Sequence, residues 1–81
     1  MNYLVTYAVN GIEKTAVVMA DSETEALNDF WLRYNIINGE TGDNIQVYFV
    51  SELKYAPRIE FIRNHMLRIP EDKKALYESC K

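Results

Sequence analysis

Residues 22–34 read SETEALNDFWLRY, and this stretch decides the fold because a helix start signal, a helical periodicity and aromatic bulk coincide in it. Ser22 and Glu25 have the S-x-x-E spacing of a capping box, in which the hydroxyl and the carboxylate satisfy backbone N–H groups that a first helical turn leaves unpaired. Ala26, Leu27, Phe30, Trp31 and Tyr34 then fall on one side of a helix that turns ~100° per residue. The remainder of the chain has to supply a surface for that side.

Upstream of the helix, Tyr3, Val5, Tyr7 and Val9 alternate with Leu4, Thr6 and Ala8 in the period of a strand, and a second β-rich stretch runs from Ile12 to Ala20. Asn10-Gly11 between them suits the positive φ angles of a two-residue type I′ turn, which predicts a hairpin. The turn fixes the register. With Val9 opposite Ile12, Tyr7 faces Lys14, Val5 faces Ala16 and Tyr3 faces Val18, and this mostly apolar face is assigned to the helix. The other face carries Leu4, Thr6, Ala8, Glu13, Thr15, Val17 and Met19, a mixed set.

Downstream, the helix is expected to fade near Asn35 into a mobile Asn- and Gly-rich loop over 35–44, with Ile36 and Ile37 as an aliphatic anchor. Ile45–Val50 is a third strand, read as Ile45, Val47 and Phe49 alternating with Gln46, Tyr48 and Val50. Tyr3, Tyr7, Tyr48 and Phe49 are all read as core and sheet packing. Pro57 punctuates the chain, and Ile59, Ile62, Met66 and Ile69 predict a helix over 58–68. Pro70, followed by Glu71 and Asp72, marks another helix start. The expected architecture is α+β: a three-stranded, largely antiparallel ββαβ sheet carrying one helix, with a helical tail. The whole is one domain, residues 1–53 forming the core and 54–81 the tail.

Composition narrows the function. Eighty-one residues support one hydrophobic core, and 48% hydrophobic with 26% charged residues is an ordinary globular balance. No apolar run approaches the ~20 residues of a membrane span, and MNYLVTY lacks the pattern of a secretory signal, so the expected location is cytoplasmic. Cys80, the one cysteine, forms no internal disulfide and cannot alone build a metal site. His65, the one histidine, lies within a helical stretch, and no G-x-S-x-G elbow, glycine-rich phosphate loop or EF-hand ligand ladder is present. The expectation is therefore no catalytic residue, no metal and no cofactor.

Charge is divided unevenly along the chain. Residues 1–53 hold two basic against eight acidic side chains, and residues 54–81 hold seven basic against four acidic. A nucleic-acid-binding module would use Arg63, Arg68, Lys73 and Lys74, although Arg58, Arg63 and Arg68 recur every five residues and so wind around a helix. A protein-binding module would use Glu25, Asp29 and Leu32, a stripe on the helix face opposite Phe30 and Trp31. Leu4, Val17 and Met19 on the second sheet face would be buried between the subunits of a homodimer or under the tail.

The pattern Y-x-V-x-Y-x-x-N-G at Tyr3–Gly11, followed by V-x-A-x-S-x-x-E-A at Val18–Ala26, resembles small hairpin-then-helix proteins of phages and mobile elements, including some anti-CRISPR proteins. The resemblance covers residues 3–34 and names no active residue. It implies stoichiometric binding to a macromolecular target, and an acidic face suits competition for a basic groove. The leading expectation is a non-enzymatic protein-binding inhibitor, and the alternative is the nucleic-acid module of the basic tail.

Overall fold

Asn10 and Gly11 both take positive φ, 52° and 85°, so the turn has the geometry its sequence requires and sets the pairing on either side of it. The computed structural model describes residues 1–39, 42–55 and 58–80; the readings that fall on Glu40, Thr41, Pro57 and Lys81 lie outside the described residues. Strand β1 (Asn2–Val9) and strand β2 (Ile12–Met19) pair antiparallel with Val9 opposite Ile12, Tyr7 opposite Lys14 and Tyr3 opposite Val18, the register read from the sequence.

Helix α1 (Glu23–Asn38) starts at Ser22, whose Oγ accepts from the Glu25 N–H at 3.1 Å. The Glu25 carboxylate accepts in turn from the Asp21 N–H at 3.1 Å, one residue ahead of the cap. Ala26 and Phe30 are fully buried beneath the helix, and Phe30 packs its ring against Tyr7, Trp31 and Tyr34 at centroid distances of 5.0, 5.5 and 4.9 Å. The Tyr34 hydroxyl donates to the Tyr7 hydroxyl at 2.6 Å, tying helix to sheet.

The helix does not fade at Asn35. It runs on to Asn38, with Ile36 buried, because the tail returns to its end: Lys73 Nζ donates to the Ile36 carbonyl at 3.1 Å, a cation where the helix dipole is negative. The described part of the following loop is held as well. Asn10 donates from Nδ2 to Asp43 Oδ1 at 3.0 Å and accepts at Oδ1 from the Asn44 N–H at 2.9 Å, and Asn38 Nδ2 donates to the Asp43 carbonyl at 2.9 Å.

Strand β3 (Ile45–Leu53) joins β1, antiparallel, so the sheet order is β2-β1-β3 and β1 is central. Its alternation is interrupted. Tyr7 pairs with Val47 and Thr6 with Phe49, which leaves Tyr48 as the extra residue of a β-bulge. Beyond the bulge the phase reverses. Val50, opposite Val5, packs on the core, and Phe49, opposite Thr6, turns to the second face; the expectation that Tyr48 and Phe49 belong to the core is corrected by this one residue.

The tail is also more broken than its periodicity implies. Helix α2 (Ile59–His65) contacts β2, and its Phe61 lies beside Leu4 and Leu53 on the second face. The helix stops at His65 because Met66 pairs with Val17 along the outer edge of β2 and Leu67 packs on the core cluster. The chain thereby passes round the β2 edge from the second face to the first. A 3-10 turn (Glu71–Lys73) after Pro70 leads into helix α3 (Lys74–Ser79), which packs on α1 through the buried Tyr77.

Candidate functional site

Glu25, Asp29 and Leu32 are brought together with Asn28 and Cys80 along a groove of ≈ 620 Å³. Two of the three already have internal work. The Glu25 carboxylate belongs to the cap, and Asp29 accepts from Arg33 Nε at 2.7 Å and from the Tyr77 hydroxyl. Arg33 donates further to the Leu67 carbonyl at 2.7 Å and lies over the Tyr77 ring at 4.8 Å from its centroid. Asp29, Arg33 and Tyr77 thus form the joint between α1 and the tail, and Leu32 is half-buried. Of the predicted stripe, Asp29 is engaged by the chain's own carboxyl-terminal segment, while Glu25 stays exposed in the cap.

The four predicted basic residues lie on different segments of the tail. Arg63 is exposed on α2, Arg68 and Lys74 line a groove with Arg33, Tyr77 and Glu78, and Lys73 reaches toward the end of α1.

A group of exposed apolar side chains lies elsewhere, on β3 and α2 and at Tyr55. Tyr48 is 55% exposed, Phe49 58% and Tyr55 74%, with Ile59 and Phe61 following. Leu4, Leu53, Tyr55, Arg58 and Phe61 enclose a recess of ≈ 310 Å³. The sheet supplies Leu4 and Leu53, since Asn2 pairs with Leu53 and Leu4 with Ser51 on the same face. Strand β3 pairs only with β1 among the described residues, so its outer edge adjoins this surface. Sequence reasoning missed the site because strict alternation puts Phe49 in the core; the only signal was three consecutive large side chains, Val47-Tyr48-Phe49, where an alternating strand would show a polar one.

At the same end of the sheet as Leu4 and Leu53, the first face is acidic. Burial pushes the Tyr3 phenol above its ordinary value of 10.0, and the carboxylates of Glu52, Glu23, Asp21 and Glu25 push it further. Tyr34 is raised as well, first by burial and then by its bond to Tyr7.

His65 Nδ1 lies 2.8 Å from the Phe61 carbonyl, which can only accept, so that nitrogen carries the proton. The ring stacks on Phe61 at 4.2 Å. His65 shares a groove with Tyr7, Lys14 and Thr15, and Cys80 lines the separate groove beside Glu25, so the two do not form a dyad. Among the described residues no group of three His, Cys, Asp or Glu side chains is placed to hold a metal ion, and no helix is long and apolar enough to cross a membrane.

The geometry is that of a small α+β protein with an aromatic, cation-flanked surface on one sheet face. The chain matches no protein family, no curated protein and no solved structure.

Proposed function

We propose that this chain is a non-enzymatic binding protein that engages another protein through the second sheet face at β3 and α2. The supporting observation is the exposure of Tyr48, Phe49 and Ile59 on β3 and α2, together with an apolar recess lined by Leu4, Leu53, Tyr55 and Phe61. Aromatic residues beside an arginine, with few carboxylates, are the composition of interface centres. This moves the proposed contact away from Glu25, Asp29 and Leu32, because Asp29 is held by Arg33 and Tyr77. The reading places the protein in the cytoplasm. Its narrower form, a stoichiometric inhibitor of phage or mobile-element type, has the resemblance of residues 3–34 as its support.

The test is affinity capture from host lysate, after nuclease treatment, with the tagged wild type and a Phe49→Ser/Tyr55→Ser variant. Both side chains are more than half exposed, so the variant is expected to fold. A protein captured near stoichiometry by the wild type and lost from the variant supports the reading; equal capture by both, or none by either, refutes it.

A second reading draws on the same residues. Exposed aromatics next to Lys54 and Arg58 are also the ingredients of a single-stranded nucleic-acid platform, in which bases stack on rings and cations follow the backbone. It requires binding to single-stranded oligonucleotides that weakens steeply with salt, and a flat salt response removes it.

A further inference from the structure

The recess on the second face has a chemistry that specifies what part of a partner it would take; this inference rests on the protein-binding reading. Leu4, Leu53, Tyr55 and Phe61 give it apolar walls, and among the described residues Arg58 is the one charged side chain lining it. Lys54, also exposed, lies in the chain between Leu53 and Tyr55. Its ≈ 310 Å³ is at the lower end of the ~300–1,000 Å³ of ligand sites, a space for one or two large side chains. Arg58 makes no ion pair among the described residues. Its position at the start of α2 does not help the helix, because a cation there opposes the helix dipole. A guanidinium over an apolar floor matches a carboxylate in planar, two-point contact.

We propose that the recess receives a bulky apolar side chain from an acidic segment of a partner protein, with a neighbouring carboxylate of that segment paired to Arg58. Self-association through the same face, with Glu60 or Glu52 of a second copy against Arg58, is the competing outcome. The acidic sign of the occupant follows from the cations at the recess, and its apolar anchor from the walls.

The experiment is an NMR titration of the full-length ¹⁵N-labelled protein with three synthetic peptides. The first places Leu-Phe between pairs of aspartates in a Gly-Ser frame, the second replaces the aspartates with lysines, and the third replaces Leu-Phe with Ser-Ser. The expected result is that the first peptide shifts the amides of Leu4, Leu53, Tyr55 and Phe61 and binds about tenfold or more tightly than either control. Arg58→Glu, at an exposed position, is expected to reverse the preference in favour of the lysine peptide. Equal binding of the three peptides, an unchanged preference in Arg58→Glu, or shifts confined to other residues overturns the proposal. So does the absence of binding by all three, or self-association through this face that Arg58→Glu abolishes. If the peptides fail while Phe49→Ser/Tyr55→Ser still loses its captured protein, the acidic-segment chemistry falls alone; if that capture is also unaffected, the protein-binding reading falls with it.

Discussion

Replacing Tyr77 with phenylalanine asks whether the carboxyl-terminal helix is part of the folded core. The substitution keeps the ring, so the packing of α3 on α1 and the position of Arg33 over the ring are preserved. The substitution removes the hydrogen bond from the hydroxyl to the Asp29 carboxylate. A bond to a charged group contributes ~1.5–3 kcal/mol when its partner is left buried and unpaired. Asp29 keeps its 2.7 Å bond to Arg33 and its side chain is 20% exposed, so water can replace part of the missing donor. The expected cost is therefore at the lower end, about 1–1.5 kcal/mol, which lowers the melting temperature of a domain this small by roughly 5–10 °C. Thermal and urea unfolding followed by circular dichroism measures it. The denaturant slope should be unchanged, because α3 stays docked and the surface exposed on unfolding is the same. Asp29→Asn combined with Tyr77→Phe in a double-mutant cycle isolates the pair, with a coupling of about 1 kcal/mol expected. A Tyr77→Phe protein that melts with the wild type, or a cycle with no coupling, would show that α3 is not held on α1 by this joint and would release Asp29 as a candidate contact for a partner.

Other perturbations test other parts of the same construction. Phe30→Ala empties a site of 0% exposure between Tyr7, Trp31 and Tyr34 and should cost ~3–5 kcal/mol, most of the stability of a chain this size; loss of near-ultraviolet dichroism and of a cooperative melt is the expected signature. At Gly11 a Cβ would meet nothing within 4 Å, so Gly11→Ala should cost only the torsional strain of φ 85°, about 1 kcal/mol, and a neutral result would mean that the turn is not type I′. Tyr34 titrates above the ordinary phenol, so above pH ~10 the unfolded chain releases a proton that the folded chain keeps. The contribution is complete below that pH and is lost as pH rises toward the folded value; Tyr34→Phe should flatten the alkaline fall in urea midpoint, and an identical slope would contradict the assignment.

Local signals in the sequence acted where local chemistry decides. Asn10-Gly11 determined a turn, the turn determined a register, and Ser22 and Glu25 determined where the helix begins; each depends on residues within a few positions of one another. The signals failed where a distant partner decides. Asn35, Ile36, Ile37 and Asn38 are indifferent helix formers, yet the burial of Ile36 and the bond from Lys73 keep them helical. Ile59, Ile62, Met66 and Ile69 have helical spacing, yet the pairing of Met66 with Val17 breaks the helix between them. Within the stripe of Glu25, Asp29 and Leu32, nothing local reveals that Tyr77, 48 residues beyond Asp29, donates to the Asp29 carboxylate.

The bulge at Tyr48 connects these errors of reading to the proposed function. A regular β3 that kept Ile45 and Val47 inward would also turn Phe49 inward and Val50 outward. One inserted residue instead keeps Val50 on Val5, so the core beneath α1 is intact, and places Phe49 on the face shared with Leu4 and Leu53. Bulges also twist an edge strand and interrupt its unpaired hydrogen-bonding row, which protects β3 from indiscriminate strand addition. The aromatics are thus displayed on an edge that is poorly suited to extending a sheet. That combination favours recognition through side chains, with Arg58 and the apolar recess setting its specificity, over recognition by backbone pairing.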